Sequence, residues 1–278
     1  MNGNNKSFDQ KKAKKKPAGA RPPFDRKKNE PDIQVSENAV IGRNSVRELL
    51  RSDREVDKIF VQRGEREGSI IPLIAEAKKA GIVVVEVEKQ KLDSLSSGGA
   101  HQGIIAFAAE KEYCEVADIL AYANERGEKA FIVIADGIND PHNLGAVIRS
   151  ADCLGAHGVI IPKRRSVGLT ATVSKASAGA LENMRVAKCV NISSAIDELK
   201  EAGVWIYAAD MDGAPYYDHK FDSPTAIVLG SEGEGISRLV KEKCDFVISI
   251  PQYGNVNSLN VSNAAAIIMS EVARQFHK

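Results

Sequence analysis

From residue 130 onward the chain repeats one pattern that few folds can house. A short, almost unbroken apolar run leads into a polar or glycine-rich loop and then a helical stretch. The runs lie at 131–135, 158–161, 204–208, 225–229 and 246–250. A strand with one wet face alternates apolar and polar residues, and these do not alternate. Such strands are buried on both faces, as in a mostly parallel sheet with helices above and below. The reading is an α/β fold, with helices expected at 144–154, 171–178 and 194–202, from Ile236, and again at the C-terminal end.

Upstream, the pattern predicts a smaller α/β domain over 35–111. Val40, Ile41, Val46, Leu49 and Leu50 form a helical stripe over 39–50. Strands are expected at 58–61, 83–87 and 104–108. Helices are expected at 70–80, closed by Gly81, and at 89–96, with a turn at Gly98-Gly99. Residues 112–129 read as a helical linker, and 130–278 as the second domain.

Charge is distributed unevenly. The first thirty residues carry ten Lys/Arg against three Asp/Glu and include Pro17, Pro22 and Pro23. A segment this basic and this poor in apolar residues cannot bury enough surface to fold, so 1–34 is expected to be a disordered basic arm. It serves either RNA contact through counterion release or solubility alone. No apolar run approaches 18 residues, and none follows the N-terminal charges, so neither a membrane span nor a secretory signal is expected. Cys114, Cys153, Cys189 and Cys244 are scattered with no C-x-x-C pair. That argues against a zinc site or a disulfide framework and fits a reducing cytoplasm. Cys153, beside Leu154 on an apolar helix, reads as a core residue.

Three junctions concentrate polar groups where strands meet helices, the place where α/β sheets bind ligands. The first, Asn139 to Ser150, holds Asn143 and, six residues later, Arg149; both can overlook the helix start. The plainer reading makes Asn143 a helix cap and Arg149 a surface charge. The second, Ile227 to Ile236, contains Gly230-Ser231-Glu232-Gly233-Glu234-Gly235. Its G-x-x-G-x-G spacing is not the dinucleotide fingerprint, and two carboxylates would repel a pyrophosphate. The third, Ile250 to Ser262, packs Asn255, Asn257, Ser258 and Asn260 ahead of an apolar helix. Polar side chains drawn toward a core are costly unless they bind something. There is no G-x-S-x-G elbow, and the five histidines show no metal spacing, so hydrolase and zinc readings are set aside. His142, in a loop after a proline, suits a positioning role as well as a chemical one.

Taken together and in order, the three segments resemble the signature motifs of the SpoU branch of the SPOUT class, the RNA ribose 2′-O-methyltransferases. His101-Gln102-Gly103-Ile104 matches the H-Q-G motif that closes the substrate-binding domain of those enzymes. The resemblance covers residue 36 to about 276 and is greatest to the branch that methylates a guanosine of large-subunit (23S) rRNA. It implies a knotted C-terminal domain, with the last strands and helix threaded as a deep trefoil. It also implies a homodimer in which each site is completed by the partner's first motif. Bound S-adenosylmethionine is expected against Leu229, Gly230, Gly235, Ile250, Ser258 and Leu259, with no metal. The implied catalytic set is Asn143, Arg149, Glu232 and Asn260, and RNA contacts fall on Asn143, Arg149, His101 and Gln102. Asn143 and Asn260 are expected to position the ribose, and Glu232 to orient Arg149 or its loop. Arg149 acts either as the base or as an electrostatic stabiliser of the attacking oxygen. A tRNA ribose methyltransferase, an rRNA enzyme acting at another nucleotide, and a non-catalytic RNA-binding protein on the same fold stand as alternatives.

Overall fold

A computed structural model describes residues 38–64, 68–96, 99–256 and 258–277. The expected basic arm, Gly98 of the predicted turn and Asn257 lie outside the described residues. Among the described residues no helix is long and apolar enough to cross a membrane.

The strands form two sheets. The smaller has the order β1-β4-β2-β3, built from β1 (Ala39–Ile41), β2 (Val56–Gln62), β3 (Val83–Val87) and β4 (Ile104–Ala108). Central β4 runs antiparallel to β1 and β2, while β2 and β3 are parallel. β4 is buried throughout. Ile104 and Ala106 pack with Val46 and Leu49 of α1 (Arg43–Arg51) and Leu73 of α2 (Ile70–Lys79). Ile105 and Phe107 face the other way, toward Leu92 and Leu95 of α3 (Lys89–Leu95). The single helix expected over 39–50 is corrected here. Val40 and Ile41 belong to β1, paired with Ala106 and Ile105. Gly42 then takes φ 98°, a left-handed conformation that separates strand from helix.

The larger sheet has the order β10-β8-β9-β5-β6-β7, and every pairing in it is parallel. Its strands are β5 (Phe131–Asp136), β6 (Gly158–Pro162), β7 (Arg185–Cys189), β8 (Trp205–Pro215), β9 (Thr225–Gly230) and β10 (Phe246–Ser249). Phe131, Val133 and Ala135 of β5 join the core under α5 (Pro141–Cys153) and α10 (Val261–Phe276). Ile132 and Ile134 join the opposite core, with Ile119 of α4 (Val116–Glu125) and Ile196 of α8 (Ile192–Glu201). Both faces are covered, as unbroken apolar strands require. The short helices α6 (Ala171–Ala176), α7 (Ala180–Asn183) and α9 (Arg238–Lys243) complete the layers.

Three details depart from the sequence reading. β7 was not expected. It is an edge strand with charged residues, and these lie on aromatic faces: the Arg185 guanidinium sits 3.3 Å from the Tyr122 ring centroid and Lys188 Nζ 4.4 Å from that of Tyr113. α9 starts at Arg238; Ile236 is buried in the turn before it. β8 runs on to Pro215 by looping out residues 209–213: consecutive Val247 and Ile248 of β10 face Ala208 and Ala214. Any side chain at Gly213 would meet the Val247 backbone at 2.5 Å. From β10 at the sheet's edge the chain returns to α10, which packs on α5 and β9. Because the strands are parallel, the loops after β5, β6, β9 and β10 emerge at one end of the sheet.

Candidate active site

Asn143 reaches the site because α5 begins earlier than its apolar pattern suggests. Asp140 caps the helix by accepting from His142 N at 2.8 Å, and Pro141 occupies the first turn. Asn143 is therefore not the cap; it is the third helical residue, and it is buried. Its helix is seated tightly, since a Cβ on Gly145 would meet Ala176 Cβ at 2.4 Å.

Glu232 sits on a turn that closes on itself. Ser231 and Gly235 exchange backbone hydrogen bonds at 3.0 Å in both directions, with Gly235 at φ 69°. A Cβ at Gly230 would meet the Gly235 carbonyl carbon at 2.2 Å, so the turn admits only glycine there. Asn260 is the N-cap of α10, its Oδ1 accepting from Ser262 N at 2.9 Å.

These three side chains meet. Asn143 Nδ2 donates to Glu232 Oε1 at 2.7 Å, and Asn260 Nδ2 donates to the same oxygen at 2.8 Å and to Asn143 Oδ1 at 3.0 Å. The carboxylate, an acceptor only, dictates which end of each amide faces it. One motif from each of the three junctions thus enters a single hydrogen-bonded cluster.

Two cavities flank the cluster. One, of about 500 Å3, is walled by all six residues expected to hold a cofactor: Leu229, Gly230, Gly235, Ile250, Ser258 and Leu259. Ile236, Ile248, Ala264 and Ile268 add apolar wall, while Asp210, Ser231, Glu232, Glu234, Gln252 and Asn260 add polar groups. A cleft of this size, where apolar side chains stand beside convergent polar groups, has room for a nucleoside-bearing cofactor. Asp210 and Met211 were not foreseen; they enter through the looped-out segment of β8, which leaves no periodic trace in sequence. That segment is pinned by Lys241, whose Nζ lies 2.9 Å from Asp210 and 2.7 Å from Asp212. The Lys241 hydrogen bond holds the Asp212 carboxyl below its usual range, and the same bond holds the ammonium above its own. The second cavity, of about 900 Å3, lies across the 231–235 turn and includes Asn139, Asn143, Arg164 and Arg165 in its wall.

Other expected site residues do not gather there. Arg149 is exposed and lines neither cavity. At about 100° per residue it stands about 120° around α5 from Asn143. Within one chain Glu232 accepts from the two asparagines, and Arg149 lies away from it. His101 is buried, with Nε2 on Asp93 at 3.0 Å and Nδ1 accepting from Gly103 N at 3.0 Å. Gln102, at φ 54°, accepts from Arg43 N through Oε1 at 2.9 Å, while its carbonyl accepts from Arg43 Nε. Both ring nitrogens of His101 are engaged, so the H-Q-G segment holds the entry to β4 and the start of α1, with Gln102 exposed. Cys153 is exposed at the end of α5 and is not a core residue.

The comparisons with known proteins agree with this geometry. The profile of the SpoU rRNA Methylase family matches residues 130–270, and that of the RNA 2′-O ribose methyltransferase substrate-binding domain matches 39–114. The chain is 46% identical over 237 residues to YacO of Bacillus subtilis (strain 168), a protein assigned to the TrmH family of tRNA/rRNA methyltransferases; the match spans 85% of this chain and 95% of that one. A solved RNA 2′-O ribose methyltransferase superposes with a TM-score of 0.72 at 28% identity, covering 86% of this chain and 90% of the other. AviRb of Streptomyces viridochromogenes, solved with AdoMet, shares the fold at a TM-score of 0.71 and 24% identity, covering 85% of this chain and 89% of its own. With one profile over 39–114, the next over 130–270 and a relative 46% identical across most of both chains, the chain belongs to the SpoU rRNA methylase family, the S-adenosylmethionine-dependent RNA 2′-O-ribose methyltransferases.

Proposed function

We propose that this protein methylates the ribose 2′-hydroxyl of a guanosine in large-subunit (23S) rRNA, acting as a homodimer in the cytoplasm. The observation that carries this reading is the Asn143–Glu232–Asn260 cluster, set where the two cavities meet. The smaller sheet is the RNA-docking part; its family profile is that of a substrate-binding domain.

Bound S-adenosylmethionine supplies the methyl group as a sulfonium. Leu229, Ile250 and Leu259 exclude water from its cleft, and Gly230 and Gly235 set the turn against it. Asn143 and Asn260, locked by Glu232, position the ribose, while Ser258 adds a hydroxyl to the cavity wall. Holding two reactants in line supplies roughly 7–11 kcal/mol of such a barrier. The products are a 2′-O-methyl ribose, S-adenosylhomocysteine and a proton. Arg149 stabilises the forming alkoxide, since a guanidinium is a permanent cation with five donors. Its separation from the cluster within one chain supports a composite site, to which the partner subunit's Arg149 is supplied.

The test is tritium transfer from labelled S-adenosylmethionine to unmodified 23S rRNA and to tRNA, with mapping of the product. Label on one rRNA guanosine is the expected result. Label on tRNA alone would move the substrate to tRNA. Cofactor binding without transfer to either would overturn the assignment of these RNAs as substrates.

A further inference from the structure

We propose that the cavity of about 900 Å3 across the 231–235 turn is a nucleotide subsite. It holds one nucleotide of the substrate RNA beside the methylated ribose, with the phosphate on Arg164 and Arg165. The inference rests on the RNA-methyltransferase reading and adds to it a substrate pocket separate from the cofactor cleft.

Four observations carry it. First, the two cavities share the 231–235 turn and Glu232 as a common wall, so a chain of nucleotides reaching the ribose site passes this opening. Second, Arg164 and Arg165 are exposed and have no carboxylate partner among the described residues. Arg126, Arg238 and Arg274 each sit on one. Asp136, Asp140, Glu232 and Glu234 line the same cavity, yet the guanidiniums pair with none of them and are left to offset this acidic wall for an anionic ligand. Free guanidinium forks at a cavity mouth match phosphate geometry.

Third, the arginine loop is held firmly. Arg165 takes φ 59°, a left-handed conformation sparsely populated by residues with side chains. It is kept there by Ser166 Oγ and Val167 N, both donating to Ile138 O at 3.0 Å. The same Ile138 loop leads into Asn139 and Asn143, so the arginines are tied to the positioning cluster. Fourth, two apolar side chains in the cavity wall face solvent: Val190 is 79% exposed and Leu239 70%. Exposed apolar surface beside unpaired guanidiniums suits a ligand with one flat apolar part and one anionic part, which is a nucleotide.

The experiment uses the full chain, unmodified 23S rRNA and three variants. Arg164→Ala/Arg165→Ala should leave S-adenosylmethionine affinity unchanged by calorimetry and raise KM for RNA about tenfold or more, with saturated turnover within about twofold. The slope of log K for RNA binding against log salt should shrink by about 0.7, the value for one phosphate contact on single-stranded RNA. Arg164→Lys/Arg165→Lys should keep most of the slope and recover part of the KM. Val190→Glu/Leu239→Glu, which leaves the arginines in place, should also raise KM. An unchanged KM and slope in the double alanine variant overturns the subsite, as does loss of S-adenosylmethionine affinity, which would assign the cavity to the cofactor. If the wild-type protein methylates neither rRNA nor tRNA, the proposed reaction fails; the salt slope needs no turnover and still decides the subsite.

Discussion

Asn143 and Asn260, 117 residues apart in the chain, are joined side chain to side chain at 3.0 Å. The bond ties the first turn of α5 to the cap of α10, the last helix of the fold. Glu232 Oε1 closes the arrangement from the 231–235 turn. Asn260 thus serves two ends: its oxygen caps α10, and its nitrogen fixes the site. Folding of the C-terminal helix and assembly of the site are coupled through one side chain.

Glu232 separates the geometric from the electrostatic part of that coupling. Glu232→Ala leaves the Asn143 amide donor buried without its partner, a penalty of about 1–3 kcal/mol. In a protein of this size Tm should fall by roughly 2–8 °C, and turnover by about a hundredfold as the asparagines lose their orientation. Glu232→Gln keeps an oxygen acceptor in place. Its Tm should stay within about 2 °C of wild type, with turnover between the two. Differential scanning calorimetry and methyl transfer on the same preparations check both. A Glu232→Ala protein as stable and active as wild type would show that the cluster holds nothing.

Arg149 is tested by complementation. Mix Arg149→Ala subunits with Glu232→Ala subunits, each inactive alone, under conditions that exchange subunits. If the partner subunit's Arg149 completes each site, half of the dimers are mixed and each has one intact site, restoring about a quarter of wild-type activity. If Arg149 acts in its own chain's site, the mixture stays inactive. The readout is methyl transfer before and after exchange.

The elements that sequence revealed are those whose apolar residues obey one local rule. β5, β9 and β10 are unbroken runs, and their buried faces follow from that. Leu229, Gly230, Gly235, Ile250, Ser258 and Leu259 were named through the resemblance of their motifs and not through periodicity, and they line one cavity. What escaped depends on partners distant in sequence. β7 hides because its charged side chains lie on Tyr113 and Tyr122, contacts that periodicity cannot show. Asp210 reaches the cavity lined by Leu229 and Ile250 through a register shift against β10, and a shift of that kind exists only in the pairing. Val40 and Ile41 satisfied a helical stripe by coincidence, and Gly42 overrode it. His101 carries a motif associated with substrate, yet its ring is spent on Asp93 and Gly103.

The two sheets are fastened by a buried ion pair. Arg54 Nη1, ahead of β2, lies 3.0 and 3.2 Å from the two carboxylate oxygens of Glu182 in α7. The side chains are 12% and 1% exposed. Lys111 Nζ donates to the Glu182 carbonyl at 3.0 Å, and burial draws its ammonium below the usual lysine value. Removing one partner of a buried pair costs about 3–5 kcal/mol because the other charge is stranded. Glu182→Ala should therefore lower Tm by on the order of 10 °C and speed proteolysis between the sheets. Arg54→Met/Glu182→Leu, which removes both charges of the pair and leaves Lys111 its bond to the residue 182 carbonyl, should lose much less. Equal losses in the single and double variants would show that the charges are not coupled.

His157 makes stability depend on pH in the near-neutral range. The ring is buried at the start of β6, Nδ1 accepting from Phe131 N at 3.0 Å and Nε2 meeting Glu128 Oε2 at 3.0 Å. Burial draws the imidazole below its ordinary value, and the Glu128 contact only partly offsets this. The unfolded chain, with a histidine value near 6.5, then binds the proton more readily than the folded one. Stability from this group is complete above about pH 6.5 and declines as pH falls toward the folded value, by at most about 1.4 kcal/mol per pH unit. The Glu128 carboxyl is also held low, first by Arg126, but its window lies in the acid range below the ordinary glutamate value. Urea denaturation at half-unit steps from pH 8 to pH 5 should show the decline in wild type. His157→Gln should be less stable at pH 8, where the neutral ring is lost, and flatter toward pH 5, where no proton can be taken up. Parallel wild-type and variant curves would assign the pH dependence to another group.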